Sequence, residues 1–286
     1  MKRINYTITC LSPCHHGDFG ATGNVRAFRR EPIILPDGQI VRVPCVSGNA
    51  IRGQIRRLVM REMLAVCGID RITMPARQWD RLYGALVNGG TLDGSEARVD
   101  PDAVRALRGA LPSLSVLGAA LYSHMMPGRA RVGLARLACD ETAQSGHAAD
   151  MGTLPPADDL VTDWSQARLP DPTEQDVEAS GVGPMPTTVE VVITGARLVG
   201  RIDCGSDAIE ASVMARGLSL MEAIGGKSGG GLGQVVVEHD GDGALWLTWL
   251  TQYREQVRET LIALAERIGG STKAKKGKAA PTEAAA

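Results

Sequence analysis

The 286-residue sequence predicts an α+β fold with a ferredoxin-like core, the split βαβ plan of RRM-like domains. Three observations predict this plan. Short segments alternate apolar and polar residues as half-buried strands do, longer segments repeat apolar residues at helical spacing, and the two kinds follow the order β-α-β…β-α-β. We expect a single domain over residues 1–270 with large insertions and a C-terminal helix, followed by a low-complexity, disordered tail at 271–286.

The first βαβ half begins with residues 4–10, INYTITC, in which every second side chain is apolar and one face of a strand is buried. Residues 12–38 are rich in glycine and contain proline, which predicts a loop. Residues 39–46, QIVRVPCV, predict a short strand. Residues 47–68 predict the first long helix, with capping residues at its start and a glycine at its end.

Two insertions separate the halves. Residues 70–128 contain short helical patterns interrupted by glycine and proline, which predict a helical insertion. Residues 129–140, RARVGLARLACD, predict a strand. Residues 141–186 lack apolar periodicity and are rich in Pro, Asp and Gly, so they predict a long excursion that is mobile or ordered on a partner.

The second half has the same order. Residues 186–203 predict two strands around a turn, and residues 206–224 predict the second helix behind a Ser or Asp cap. Residues 225–233, GGKSGGGLG, form a segment that we call the glycine loop. A strand is predicted at 233–240 and a C-terminal helix at 245–270, where apolar residues recur at intervals of three and four.

Charge is unevenly distributed although the net charge is only −1. Residues 26–61 hold eight arginines against two acidic residues, a local net of +6. Residues 139–180 hold ten acidic residues against one arginine, a local net of −9. The separation indicates either a polyanion-binding face beside an acidic element or an unevenly charged solvated surface.

The cellular compartment follows from the cysteines and the apolar segments. Six cysteines are scattered without a CxxC pair, which favours reduced thiols and a cytoplasmic location. No stretch has the roughly 20 apolar residues that span a bilayer, so no membrane partner is expected. Cys10, Cys14, His15 and His16 invite a zinc interpretation, but without a second distant pair we expect no metal and no other cofactor.

The glycine loop ends in Gly-Lys-Ser like a phosphate-binding P-loop. The P-loop pattern requires a glycine at residue 221, where the sequence has Met221. It also requires a strand before the loop and a helix after it, whereas here the predicted order is reversed. A nucleotidase is therefore disfavoured, and the loop is either a flexible connector or a segment whose backbone approaches a ligand closely.

Three motifs together resemble the RAMP superfamily of CRISPR effector proteins. They are VPCVSGNAIRGQIRR at 43–57, PTTVEVVITGARLVGRID at 186–203 and the glycine loop before the last strand. The segment SPCHHGDFG at 12–20 is similar to the family's His-Gly segment. The order of these motifs over residues 1–240 is most similar to a backbone subunit of the type IV version.

The resemblance implies that many copies bind a guide CRISPR RNA through phosphate and sugar, whatever its sequence, and present it for pairing with a target nucleic acid. It implies partners in other copies of the chain, a large subunit and a capping subunit. It also implies that the insertions are fingers-like and thumb-like. Because an acidic thumb should resist RNA, we hypothesise that the acidic excursion meets the arginine-rich region 26–61 of a neighbouring copy. The implied RNA-binding residues are Ser47, Gly48, Asn49, Arg52, Arg56, Lys227, Ser228, Gly229, His16, Arg26, Arg29, Arg30 and Met185.

No catalytic residue is expected. RNA-cleaving relatives place an Asp in the loop after the first strand, and the comparable position here is Asn24, which cannot act as a general base. Asp18, His15 and His16 are the weak candidates for acid–base chemistry on RNA. The alternative function is therefore a RAMP-fold endoribonuclease that cleaves target or precursor RNA.

Overall fold

The computed structural model describes residues 2–22, 25–92, 101–122, 124–168 and 185–270. The described residues form a mixed α+β fold in which most strand pairs are antiparallel, as the sequence predicts. The strands are β1 Lys2–Cys10, β2 Gly17–Thr22, β3 Val25–Phe28, β4 Arg30–Ile34, β5 Ile40–Val46, β6 Gly90–Leu92, β7 Ala119–Tyr122, β8 His124–Met126, β9 Arg131–Val132, β10 Ala135–Leu137, β11 Val161–Arg168, β12 Met185–Val192, β13 Arg197–Cys204 and β14 Val235–His239. The helices are α1 Gly48–Val66, α2 Ala76–Val87, α3 Pro101–Ala110, α4 Pro112–Leu117, α5 Asp140–Gln144, α6 Ala208–Ser219, α7 Ala244–Gln252 and α8 Arg254–Gly270. Single 3₁₀ turns lie at Ala149–Met151, Ala157–Leu160 and Ser228–Gly230.

The main sheet has the strand order β14-β1-β13-β10-β5-β4, with β9 also paired to β13. Because β13 is antiparallel to both β1 and β10, those two strands run parallel with β13 between them. In the same way β13 and β14 run parallel with β1 between them. Along the chain α1 lies between β1 and β10, and α6 lies between β13 and β14, so two βαβ units interleave in one sheet.

Helices α1 and α6 pack closely enough to exclude a side chain between them. A β-carbon at Gly217 of α6 would collide with Ile55 of α1. Ile51, Ile55 and Val59 of α1 are completely buried and belong to the same apolar core as Ile8 of β1. Glycine at position 217 is therefore needed for the close approach that seals this core.

The predicted loop at 12–38 is wrong, because β2, β3 and β4 lie there. A second sheet has the order β11-β12-β3-β2, and β4 pairs with β5 at the edge of the main sheet. These strands are short and β3 pairs with β12, more than 150 residues later. Local periodicity cannot indicate a strand partner so far along the chain, and the glycine content of the segment suggests a loop.

The two strands predicted around the turn at 194–195 exist, but they belong to different sheets. β12 lies in the second sheet and β13 in the main sheet. The predicted strand at 129–140 is divided into β9 and β10, and the C-terminal helix is divided into α7 and α8 at Tyr253. The chain thus bends where the sequence predicts continuous elements.

The insertion at 70–128 contains α2, α3 and α4 as predicted, together with a small sheet of order β6-β7-β8. Part of the excursion at 141–186 is regular, since β11 pairs with β12 along eight residues. Residues 169–184 of the excursion and the tail at 271–286 lie outside the described residues, as does Asn24.

Candidate nucleic-acid interface

A surface cleft of about 550 Å³ lies where three of the sequence motifs meet. One wall is the glycine loop, a second is the beginning of α1, and the third is the His-Gly segment with β3. The residues that line it are His15, His16, Gly17, Asp18, Arg26, Ala50, Gln54, Arg57, Gly225, Gly226 and Lys227. The structure therefore brings the motifs at 12–20, 43–57 and 225–233 together at one site.

The glycine loop is held tightly against the segment that carries the histidines. The Gly226 N–H donates to the His15 carbonyl at 2.8 Å, and the Gly233 N–H donates to the Pro13 carbonyl at 2.8 Å. Gly225 has φ +84°, and a β-carbon there would collide with the same His15 carbonyl. The loop is thus anchored at both ends and is not a flexible connector.

Lys227 projects from this loop with an unusual backbone conformation. Its φ of 62° makes it the one non-glycine residue with positive φ in the described part of the chain. A left-handed conformation at a residue with a β-carbon costs about 1–2 kcal/mol and is often found at functional sites. The Lys227 ammonium lies 5.9 Å from the centroid of the Trp164 ring.

The two adjacent histidines make different structural contacts. His15 is buried, and its Nδ1 lies 2.7 Å from the Glu190 carbonyl, to which it donates. His16 accepts at Nε2 from the Ser47 N–H at 3.2 Å, so it holds the residue that caps α1. Burial is the largest cause that lowers the pKa of His16, and the neighbouring Arg29 and His15 act in the same direction. Neutral His16 is therefore the form that the fold accommodates.

Two arginines predicted to contact phosphate are engaged with the helical insertion. Arg52 donates through Nη2 to the Leu117 carbonyl, and Arg56 donates to the same carbonyl at 2.6 Å. Arg56 also donates to the Leu86 carbonyl at 3.3 Å. The two guanidinium groups thus satisfy carbonyls at the ends of α2 and α4. Burial and the charge of Arg52 lower the pKa of Arg56 to about 10, so it remains charged at neutral pH.

Gln54 and Arg57 also line the cleft, and neither is among the residues predicted from the sequence. The Gln54 Oε1 accepts from Arg57 Nε at 3.2 Å and from Nη2 at 2.9 Å, which orients the exposed guanidinium. The signal was present, because Arg57 is one of the eight arginines in residues 26–61 and lies one turn after Gln54 on the same helix face. It was missed because periodicity does not show which polar face of α1 borders the cleft.

The other predicted residues lie around the same site. Ser47 caps α1 and accepts from the Ala50 N–H at 3.2 Å, whereas Gly48 packs against the Val132 carbonyl so closely that a β-carbon would collide. Asn49 and Gly229 are exposed.

Of the remaining predicted RNA-binding residues, Arg26 lines the cleft, and Arg29, Ser228 and Met185 do not. Arg26 is exposed in the cleft wall, and the Arg29 N–H donates to the His16 carbonyl at 2.8 Å. Ser228 begins the 3₁₀ turn of the loop, and Met185 begins β12 opposite Arg168. Phosphate contact by each of these residues stays a prediction.

The acidic excursion contacts the arginine-rich region of its own chain. Arg30 binds Glu190 of β12 at 2.6 Å and Asp158 at 3.1 Å. Glu190 also accepts from the Phe28 N–H at 2.7 Å, which ties β3 to β12. The sequence-based hypothesis pairs the excursion with a neighbouring copy, whereas in this chain Asp158 is paired internally.

The described residues contain no cluster of three or more His, Cys, Asp or Glu side chains that could hold a metal ion. All six cysteines are free and buried. Cys10 and Cys14 interact in the core, and this contact together with burial raises the pKa of Cys14. Among the helices of the described ranges, none is long and apolar enough to cross a membrane.

Comparison with known proteins shows the fold of this chain. A chain of a solved structure entitled "Type IV-B CRISPR Complex" superposes with a TM-score of 0.56 at 22% sequence identity. The match covers 83% of the present chain and 90% of the other. No protein-family model matches the sequence. No curated protein matches it either.

Proposed function

We propose that this protein is a non-catalytic RNA-binding backbone subunit of a type IV CRISPR effector complex, with the core of the RAMP superfamily. It polymerises along the guide RNA and presents the RNA for pairing with a target. The observation that carries the proposal is the cleft, where the glycine loop, the start of α1 and the His-Gly segment meet. The cationic side chains of Arg26, Arg57 and Lys227 line it against the single carboxylate of Asp18.

The chemistry of the cleft suits a polyanionic strand of any sequence. Arg57 presents an oriented guanidinium and Lys227 a point charge, and both can bind phosphate oxygens. Ala50, in the first turn of α1, also lines the cleft, so the positive end of the helix dipole adds to the field. Contacts to phosphate and sugar position a guide without reading its bases.

The likeness in fold to a chain of a CRISPR complex supports the proposed assembly. The partners are other copies of this chain, a large subunit, a capping subunit and the target nucleic acid paired to the guide. A heterologous contact repeated head to tail produces an open helical filament. The proposal includes a cytoplasmic location, which the six free cysteines support.

The competing function is an endoribonuclease, and one observation favours it. Asp18, His15 and His16 all line the cleft in which RNA would lie. However, His15 Nδ1 and His16 Nε2 are both used in contacts with the backbone. We therefore propose no catalysis, and we expect labelled RNA incubated with the protein and a divalent cation to keep its length. Cleavage that Asp18→Asn abolishes would instead establish the ribonuclease.

The direct test of RNA binding is Lys227→Asn. Asparagine tolerates positive φ, so the substitution removes the charge and preserves the loop. The matched control is Lys2→Asn, because Lys2 lies far from the cleft. It begins β1, and the end of β1 nearer the cleft, Cys10, is roughly 27 Å away along the strand. Each lost contact to a single-stranded phosphate should reduce the slope of log affinity against log salt by about 0.7.

We expect the wild-type protein to purify with cellular RNA, shown by a raised ratio of absorbance at 260 and 280 nm. Lys227→Asn should bind RNA more weakly and with a shallower salt dependence, whereas Lys2→Asn should behave as wild type. A monomeric wild-type protein with no affinity for RNA would refute the proposed function. Equal RNA binding by the two variants would refute the role of the glycine loop.

A further inference from the structure

One row of side chains crosses the second sheet from the cleft to its outer strand. Trp164 of β11 is paired with Val189 of β12, and Val189 is paired with Arg26 of β3. Paired residues in neighbouring strands project from the same face of a sheet. Arg26 and Trp164 therefore share a face and lie about 10 Å apart, two strand spacings.

Trp164 packs against buried apolar side chains, and the Lys227 ammonium lies over its ring. It is half-buried and packs on a small apolar cluster formed by Val189, Val191 and Leu232. Leu232 belongs to the glycine loop, so the same loop that carries Lys227 also braces the indole. The Lys227 ammonium lies 5.9 Å from the ring centroid, within the range of a cation–π contact.

We infer that Trp164 is a stacking platform for one nucleobase of the bound RNA, directly beside the phosphate contact of Lys227. The inference rests on the proposed function and adds a residue that is not among those predicted from the sequence. Because packing already holds the indole in place, stacking a base on it costs little side-chain entropy, and every base has a π face that can stack. The ammonium that covers the ring in the free protein moves to the phosphate when the strand binds.

The geometry explains how one site can hold both parts of a nucleotide. Arg26 and Lys227 carry the charge that the phosphates need, and Trp164 lies in the same row as Arg26 with its ring centroid 5.9 Å from the Lys227 ammonium. Stacking does not depend on base identity, so the platform suits a guide of variable sequence. It orders a base relative to the backbone without reading it.

The test compares two probes and three variants. The probes are a short single-stranded oligoadenylate and an abasic strand with the same length and charge. Trp164→Leu keeps an apolar cover on Leu232 without a π face, and Trp164→Phe keeps the π face. Trp79→Leu is the matched control, because Trp79 is also half-buried but lines a separate cleft on α2.

We expect Trp164→Leu to weaken binding of oligoadenylate roughly tenfold to a hundredfold. It should leave binding of the abasic strand unchanged, whereas Trp164→Phe and Trp79→Leu should bind both probes as wild type does. Tryptophan fluorescence of the wild type should be quenched by oligoadenylate and not by the abasic strand. Thermal unfolding of each variant shows whether the fold is retained, and wild-type quenching reports on the platform without any substitution.

The outcomes separate the inference from the function on which it rests. If the wild type binds neither probe, the proposed function fails. If the wild type binds both probes with equal affinity and unquenched fluorescence, RNA binding stands and the stacking platform is refuted. If Trp164→Leu retains its fold and binds both probes more weakly by the same factor, Trp164 supports Lys227 and does not stack on a base.

Discussion

The glycine loop provides the sharpest test of how the cleft is built, through the substitution Gly225→Ala. Gly225 combines a φ of +84° with a position at which a β-carbon would collide with the His15 carbonyl. That carbonyl accepts from the Gly226 N–H at 2.8 Å. Two other glycines of the same loop separate the two effects. Gly231 has φ +83° with no atom within 4 Å, and Gly229 has neither a positive φ nor a close neighbour.

The magnitudes follow from these three environments. A β-carbon in the left-handed region costs about 1–2 kcal/mol, and the collision at Gly225 adds about 1–3 kcal/mol as the loop shifts from His15. In each case the lower conformational entropy of alanine in the unfolded chain raises the free energy of unfolding by about 0.4–1 kcal/mol. We therefore expect the free energy of unfolding to fall by about 3 kcal/mol for Gly225→Ala and by about 1 kcal/mol for Gly231→Ala, and to rise by about 0.4–1 kcal/mol for Gly229→Ala.

Urea unfolding of the three variants measures these differences, with RNA binding as a second readout. Gly225→Ala should also weaken RNA binding because it displaces Lys227, whereas Gly229→Ala should bind as wild type. Equal destabilisation by Gly225→Ala and Gly231→Ala would refute the close approach of the loop to His15. A large loss in Gly229→Ala would refute the loop geometry as a whole.

Three further predictions concern the charged groups. Arg56→Met should lower the free energy of unfolding by about 2 kcal/mol and leave the salt dependence of RNA binding unchanged. Arg57→Gln should leave the free energy of unfolding unchanged and make the salt dependence of RNA binding shallower. Denaturation and binding titrations of both variants would contradict this assignment if Arg57→Gln lost stability and Arg56→Met lost the salt dependence. Because the pKa of His16 is lower in the folded chain than its ordinary 6.5, the free energy of unfolding should fall as the pH drops below about 6.5. In denaturant titrations across pH, His16→Gln should show a flatter fall. The same fall in wild type and variant would argue against a role of His16 in it. Glu190→Ala should cost about 2 kcal/mol, because it leaves the Phe28 N–H without its acceptor and removes the closer of the two carboxylates bound to Arg30. Asp158→Ala, at a side chain that is 88% exposed, should cost under about 0.5 kcal/mol, and equal losses in calorimetry would contradict the assignment.

Much of the fold could be predicted because its signals are local. The alternation in β1, the apolar faces of α1 and α6 and their caps all follow from neighbouring residues, and Ser47 and Asp207 do accept from the backbone at the helix starts. The α+β class and a fold shared with a chain of a type IV CRISPR complex are confirmed. The strands at 17–34 were missed because glycine-rich sequence suggests a loop and their partners lie far along the chain.

The site was predicted in part. The glycine loop, the His-Gly segment and the start of α1 do meet, and Arg26, His16 and Lys227 line the resulting cleft. The choice among the arginines of α1 could not be predicted, because all of them lie on polar faces of one helix. Trp164 was not selected because a single tryptophan in a strand looks the same whether it covers a core or faces a ligand.

By itself the sequence determined the first strand, the two helices α1 and α6 with their caps, and the exclusion of a P-loop at Met221, since each depends on residues within a few positions. Only the tertiary structure decided that Arg52 and Arg56 point to the Leu117 carbonyl, more than 60 residues away, and that Arg57 borders the cleft. It alone decided that Trp164 lies beside Lys227. The physical reason is that the orientation of a helix face or a strand row is set by the burial of apolar surface against distant elements, which no local pattern encodes.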